Sequence, residues 1–546
     1  MSFCSEKVGT TFMTKKKKKQ PNKPLPAEHS RRGVVLIMLV YFCSGMCSLI
    51  DEVIWVRLLK LALGNTVYAS SIVVSVFMGG LALGALLMAR YADRIERKLR
   101  LYAGLELLVT VSALMMPLAL RVAEAGYKRL FVAFGPSTRG LLVVQLIVSA
   151  CLLLVPTMLM GSTLPLLGRY VTSIEQRVGH LVGRLYALNT FGAAVGCFLA
   201  GFVLIRLVGV MGSLYVAAAL NLLVALGGFL LSRRNDAPPA AFSPPRAKPA
   251  AREFSDAQPA PPAGRRLLLA VCLLSGLVSI GYELIWMRSV ALPLGSYTYV
   301  FSAVLTVYLL GNVIGAWIGS RLSRRLSNHA VAFGLCMVVL GAFGIAYIPF
   351  FKTWFTVIKQ TPVMTSLLTA MGVASDIRLA VQPITDSLFL FLVPAVVMGI
   401  GFPLVLQAWG SMHHSVGRTT GTIYGLNTIG AVVGGITTGF VLIPLLGVQL
   451  SATLLGLLAM WLGLATVQLF HRAPHPALRL CSAVPVLLLT AACLVIPTDT
   501  FRRIVGMTYS GRPIHIEEGV TTTVGISEHP DGTRSMAIDH IEMAGD

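Results

Sequence analysis

The chain is predicted to be an all-α polytopic membrane protein, built from two pseudo-repeated six-helix halves followed by a thirteenth hydrophobic segment and a short β-rich C-terminal tail. Three observations predict it. Hydrophobic residues make up 55% of the 546 positions and charged residues only 12%, with a mean hydropathy of +0.76, a composition of membrane rather than soluble chains. Apolar runs of about 20 residues, enough to cross ~30 Å of hydrocarbon as helix, recur along the chain and lack the alternation of a membrane barrel strand. Residues 44–94 also align without a gap on residues 275–325 at an offset of 231, with 19 of 51 pairs identical. The chain is therefore internally duplicated.

The elements follow in order. Residues 1–32 form a basic tail, with Lys15 to Lys19, Arg31 and Arg32, that is expected to be disordered. The first repeat, 33–231, is predicted to hold helices near 33–50, 66–89, 101–120, 139–164, 185–205 and 210–231. A Pro- and Ala-rich stretch over 232–266, with Pro238, Pro239, Pro244 and Pro245 among others, reads as a flexible linker. The second repeat, 267–469, is predicted to hold helices near 267–286, 297–319, 330–350, 386–408, 421–444 and 448–469. Residues 480–496 are a further hydrophobic run, short for a span. After residue 498 the pattern turns soluble, with strands expected over 514–517, 520–526 and 534–541 and a turn at His529 to Gly532.

The net charge of +22 reflects topology rather than a nucleic-acid partner. Basic residues sit in alternate connections: before the first helix, after the second (Arg90, Arg94, Arg97, Lys98, Arg100), after the sixth (Arg233, Arg234), and after the second helix of the second copy (Arg321, Arg324, Arg325). The positive-inside bias makes that side, and the N-terminus, cytoplasmic. Lys128, Arg129, Lys352 and Lys359 fall on the other side and weaken the asymmetry. No cleavable signal is evident, and the bilayer is the one partner composition implies.

Nine cysteines raise metal or disulfide chemistry, yet eight lie in or at the ends of predicted membrane helices without zinc spacing. Cys43 and Cys47 share a helix face but read as packing, and the adjacent His413 and His414 fall in a loop. No metal site is predicted.

Candidate site residues come from the duplication. Glu52, Trp55 and Arg57 recur as Glu283, Trp286 and Arg288, at the predicted outer end of the first helix of each copy. Gly64 and Tyr68 recur as Gly295 and Tyr299. A charge at membrane depth costs ~2.5–3.5 kcal/mol on insertion scales, so such groups are usually inward-facing, paired or functional. Two readings stay open. In one, Glu52 and Glu283 receive a cation or a proton between the halves, tuned by Arg57 or Arg288 and lined by Trp55 or Trp286. In the other, they anchor a helix end in the headgroup zone. A second repeated block pairs Tyr186, Leu188, Asn189, Thr190 and Gly192 with Tyr424, Leu426, Asn427, Thr428 and Gly430 at an offset of 238. Asn189 and Asn427 would serve as interhelical hydrogen-bonding groups or as pocket lining. The spacing of Gly80 with Gly84, and of Gly311 with Gly315, suits close helix contact.

Six plus six helices, a central linker and a basic loop after the second helix of each half resemble the major facilitator superfamily. The segment Gly84 to Lys98, with Asp93, Arg94 and Arg97, is similar to a degenerate form of that family's loop motif, while the second copy, Gly315 to Arg325, has no matching Asp. The resemblance implies a substrate site at the midplane between the halves.

The tail carries a second resemblance. Glu517, Glu518, Gly519, Val520 to Val524, then Gly532, Thr533, Arg534, Ile538 and Asp539 resemble the small β-domain that opens spermidine synthase. With the repeated Ser-Gly, Glu, Trp, Arg and Gly pattern of 44–64 and 275–295, the chain is similar to the bacterial membrane-fused spermidine synthase-like family. That likeness implies an inner-membrane protein handling a polyamine or related cation. It also implies a Rossmann-like domain binding decarboxylated S-adenosylmethionine. No glycine-rich strand-to-helix turn occurs before Asp546, so no cofactor site is expected here, the chain alone is not expected to catalyse aminopropyl transfer, and a separate Rossmann-type subunit becomes a candidate partner. The alternatives are a facilitator-type transporter in its own right and a non-catalytic scaffold.

Overall fold

The computed structural model describes residues 27–63, 67–134, 138–174, 178–235, 262–294, 298–358, 370, 375–410, 416–470, 476–493, 495, 497, 499–507, 511–518, 523–538 and 541–545. The basic N-terminal run, most of the linker, Gly64, Gly295, His413, His414, residues 519–522 and Asp539 lie outside them.

The chain is an all-α multi-pass membrane protein. The first half comprises α1 (Ala27–Leu63), α2 (Val67–Tyr91), α3 (Lys98–Phe134), α4 (Thr138–Ile174), α5 (Val178–Phe198) and α6 (Ile205–Asn235). The second comprises α7 (Pro262–Leu294), α8 (Thr298–Arg325), α9 (His329–Thr353), α10 (Ser375–Gly410), α11 (Val416–Thr437) and α12 (Ile443–Phe470). Among the described residues, ten continuous stretches are long and apolar enough to cross a membrane, and two of them, Leu181–Arg233 and Val416–Phe470, contain two crossings each. Each of these folds back at a glycine, Gly209 (φ +70°) and Gly447 (φ +74°), a left-handed backbone that glycine adopts without a Cβ clash. Short π-helical turns, Leu199–Leu204 and Thr438–Leu442, precede the two reversals. The described residues thus make twelve crossings.

The halves pack by the same plan. In the first, α1 lies on α5 and α6, α2 on α4, and α3 on α4 and α6; in the second, α7 lies on α11 and α12, α8 on α10, and α9 on α10 and α12. Glycines set the closest approaches: a Cβ on Gly45 would stand 2.1 Å from the Asn189 carbonyl oxygen, and one on its repeat partner Gly276 would stand 1.9 Å from that of Asn427. Prolines repeat too, with Pro156 and Pro165 inside α4 matched by Pro394 and Pro403 inside α10. Between halves the most extensive contacts are α2 with α11 and α5 with α8, with smaller ones of α4 with α11 and α5 with α10. That pairing makes the two halves pseudo-twofold mates around a central space.

Several elements run longer than the apolar pattern suggests. Helix α1 continues to Leu63, 13 residues past its predicted end, because Asp51 and Glu52 interrupt the hydrophobic run but point inward, 0% and 5% exposed. Glu52 thus sits inside the helix rather than at its end. Likewise α7 runs to Leu294, beyond its expected end at 286. Helix α3 continues through Pro117 to Phe134, and α10 begins at Ser375.

The thirteenth segment is helix α13, Pro476–Cys493. Its 18 residues cover ~27 Å, close to the thickness of the hydrocarbon core, and Val486 packs with Val338, Ile345, Met460 and Leu464 of α9 and α12. It connects opposite ends of the bundle. Before it, Phe470 accepts a hydrogen bond from Asn328 Nδ2 (2.8 Å), three residues beyond Arg325 at the basic-loop end. After it, Gln449, two residues past the Gly447 reversal, donates to the Pro497 carbonyl (2.6 Å) and accepts from the Phe501 backbone N–H (2.9 Å). The tail therefore leaves the bundle at the end away from the basic loops.

Helix α14 (Thr500–Gly506) then leads into a four-stranded antiparallel meander, β1 (Arg512–Glu518), β2 (Thr523–Glu528), β3 (Arg534–Ile538) and β4 (Ile541–Gly545). The expected third strand ends early and a fourth follows it, the register slipping between Met536 and Ala537 where β4 pairs. Gly532 (φ +85°) closes the β2–β3 turn.

Candidate functional site

A cavity of about 420 Å³ lies between the halves, walled by α1, α2, α4 and α5 on one side and α7, α8, α11 and α12 on the other. Its wall repeats with the sequence. Ser48, Glu52, Tyr186, Asn189 and Thr190 face it from the first half, and their partners Ser279, Glu283, Tyr424, Asn427 and Thr428 face it from the second. Helical spacing explains the set, because positions 41, 45, 48, 49 and 52 fall on one face of α1.

Among the described residues, Glu52, Glu283 and Arg288 are the charged groups on that wall. Glu52 is 5% exposed and Glu283 9%, and the two carboxylates lie within electrostatic reach of each other. Two carboxyl groups stand against one guanidinium in a low-dielectric setting, where charge interactions are strong. The Asn pair does structural and lining work together. Asn189 Nδ2 donates to the Tyr41 carbonyl (3.0 Å), and Asn427 Nδ2 donates to the carbonyl of Cys272, the repeat partner of Tyr41 (3.2 Å), and to Ser275 Oγ (3.0 Å). Each therefore ties the fifth helix of its half to the first.

The remaining duplicated residues stand elsewhere. Trp55 is fully buried behind the cavity wall, its ring 6.4 Å from that of Phe77. Trp286 stacks on Tyr282 (5.7 Å) and Phe391 (4.9 Å) and borders a separate apolar pocket of about 120 Å³ with Tyr347, Phe350 and Leu390. Neither Trp lines the main cavity: Trp55 packs against Phe77, and Trp286 is held in the Tyr282–Phe391 stack. Arg57 is half-buried and away from the cavity wall, so the two arginines are not equivalent.

The cavity is sealed toward the basic-loop end. Tyr186 packs on Phe402 (4.3 Å), which meets Tyr424 edge-on (6.3 Å). Below them Asp93, at the end of α2, pairs with Arg169 of α4 (2.9 Å) and accepts the backbone N–H of Gly417 at the start of α11 (3.4 Å). One carboxylate thus joins two helices of its own half and a helix N-terminus of the other, where a negative charge is favoured. At the opposite end the wall reaches Ala291, Val300 and Ile443, close to the helix ends.

Three buried polar residues escaped the sequence reading. Asp51 (0% exposed) accepts from Asn221 Nδ2 (2.8 Å), and Glu106 (3% exposed) accepts from Ser44 Oγ (2.6 Å). They occur in one copy only: Asp51 aligns with Tyr282 and Glu106 with Met337. A search for repeated residues passes over them, and a lone acid inside an apolar run was the available signal.

No protein-family model matches the chain, and no curated protein matches it. Solved structures similar to it include a bacterial homologue of the iron transporter ferroportin in an outward-facing state, with 13% identity, 81% of this chain and 99% of that one covered, and a TM-score of 0.49. The proton:xylose symporter XylE, a major facilitator superfamily protein, gives 14% identity, coverage of 80% and 96%, and a TM-score of 0.49. The major facilitator superfamily transporter FucP in the outward conformation gives 15%, 80% and 97%, and 0.46.

Proposed function

We propose that the protein is a facilitator-type secondary transporter whose central cavity takes a small organic cation of the polyamine class. The observation that carries this reading is the pair of buried carboxylates, Glu52 and Glu283, presented to one cavity by pseudo-twofold mates. Burying a carboxylate without a compensating partner is costly, and a molecule with an ammonium group at each end compensates both. Uncharged Tyr, Asn, Thr and Ser side chains from both halves supply further hydrogen-bonding groups, and the volume falls within the ~300–1,000 Å³ of small-molecule sites. Arg288 on one side disfavours a second cation there and gives the ligand a direction.

Movement of the substrate follows from the halves. With α2–α11 and α5–α8 as the contacts about which they rock, breaking the Asp93–Gly417 and Tyr186–Phe402–Tyr424 contacts opens the basic-loop end. We place the protein in the bacterial inner membrane with that end and the N-terminus cytoplasmic, as the basic residues favour. The expected result is a rise in thermal stability of the purified full chain with putrescine or spermidine, absent in the Glu52→Gln/Glu283→Gln variant. No stabilisation by any of a panel of mono-, di- and polyamines would count against the cationic substrate.

A second reading, the membrane moiety of a spermidine synthase-like system with a separate Rossmann-type subunit, is favoured by the meander, which carries Glu517, Glu518, Thr523, Val524, Arg534 and Ile538 of the resembling residues on β1 to β3. The same meander emerges away from the basic loops, and so outside the cytoplasm where adenosyl donors are made. A C-terminal alkaline phosphatase fusion is expected to be active and a fluorescent-protein fusion dark. The reverse pattern would restore the enzyme-linked reading.

A further inference from the structure

The first half holds two buried carboxylates that the cavity site does not use. We infer that Glu106, reached from the cavity through the Ser44 hydroxyl, is a proton-exchange site distinct from the Glu52–Glu283 pair, with Asp51 as its electrostatic neighbour. Ser44 belongs to both places: it borders the cavity and donates a 2.6 Å hydrogen bond to Glu106 Oε1. A serine hydroxyl in that position can receive a proton from cavity water on its oxygen while passing its own to the carboxylate, so one proton moves and no other bond changes.

The surroundings fit a site that gains and loses a proton. The titratable groups that interact with Glu106 are Tyr41, Cys47 and Asp51 of α1 and Tyr102 of its own helix, none of them cationic. Tyr102, 1% exposed, directs its hydroxyl at Ser44 and Glu106. Behind, Asp51 Oδ1 and Asn221 Oδ1 are both buried without partners among the described residues. These two unmet oxygens leave hydrogen-bonding capacity beside the acids that an added proton uses. Aligned positions of the second half, Tyr282, Met337 and Ala459, could not repeat this chemistry. The site is thus confined to one half.

This inference supplies the ion-coupling limb of the transport reading, but its test does not require transport. Infrared difference spectra between pH 5 and pH 9 would be recorded on the full chain in lipid nanodiscs, for the parent and for Glu106→Gln, Ser44→Ala and Glu52→Gln. The parent is expected to show a carboxylic C=O band that is absent in Glu106→Gln, shifted to higher frequency in Ser44→Ala and retained in Glu52→Gln. Glu106→Gln keeps an acceptor for Ser44, so folding should survive; Ser44→Ala reads the same band without altering the acid. Identical spectra for parent and Glu106→Gln would overturn the proton site, and a band indifferent to Ser44→Ala would overturn the path. If the band behaves as expected while no amine binds, the proton site stands and the substrate assignment falls.

Discussion

The two halves share a scaffold and fill it differently. Behind the cavity of the first half, α1, α3 and α6 enclose Asp51 with Asn221 and Glu106 with Ser44. At the matching place in the second half, an aromatic column runs from Tyr282 through Trp286 and Phe391 to Tyr347, then through Phe351 to Phe501 of the tail. Duplication gives matching helix packing, tied by the same glycine contacts and the same Asn-to-carbonyl bonds. Divergence then gives one half additional buried acids and the other an aromatic column that reaches the tail at Phe501.

Substitutions that break this comparison can be ranked. Trp286→Ala removes the centre of the aromatic column and is expected to cost ~3–5 kcal/mol, seen as earlier thermal unfolding in detergent with faster protease cleavage of the tail. Asp51→Asn, in the aligned region of the first half, keeps a hydrogen-bonding side chain beside Asn221 and should leave both readouts nearly unchanged. Gly430→Ala and Gly192→Ala would drive a Cβ to 1.7 and 1.9 Å from the carbonyl oxygens of Leu273 and Phe42. Overpacking of this kind costs ~1–3 kcal/mol, and similar losses of membrane-inserted protein are expected from the two, because the contact is the same in both halves. Glu52→Gln and Glu283→Gln should each weaken amine binding about tenfold, ~1.4 kcal/mol, measured by thermal shift. Smallest in stability is Asp93→Asn, whose partly exposed ion pair is worth ~0.2–1 kcal/mol; its larger effect should be easier opening of the basic-loop end, read by cysteine labelling at Tyr186→Cys.

In the tail, Asp531 accepts the Thr533 backbone N–H and hydroxyl, which hold its carboxyl below the ordinary carboxylate range. The folded pKa is the lower one. The turn is therefore fully stabilised above the unfolded value of ~3.9 and loses that support as pH falls through the folded value, which amide exchange at Gly532 and Thr533 should follow.

Much of the fold is legible in the sequence, because long apolar runs and an ungapped repeat report helices and halves directly. Helix ends are not. Charged residues at 51 and 52 look like a boundary on a linear scale, whereas in three dimensions they are buried and the helix continues. The side on which the tail emerges depends on α13 starting at Pro476, a helical turn before its apolar run becomes evident. In the candidate site, repetition marks Glu52, Glu283, Asn189 and Asn427, all on the cavity wall, and equally marks Trp55 and Trp286, which pack among aromatic side chains off that wall. Asp51, Glu106 and Asn221 carry no repeat, and only packing brings them beside the cavity.

The most direct test of the central claim is counterflow of radiolabelled putrescine and spermidine in proteoliposomes containing the full chain. Saturable exchange by the parent, lost in a Glu52→Gln/Glu283→Gln variant that inserts and unfolds normally, is the predicted result. Exchange that persists in the double variant, or its absence in the parent across the amine panel, would contradict a paired-carboxylate cation site.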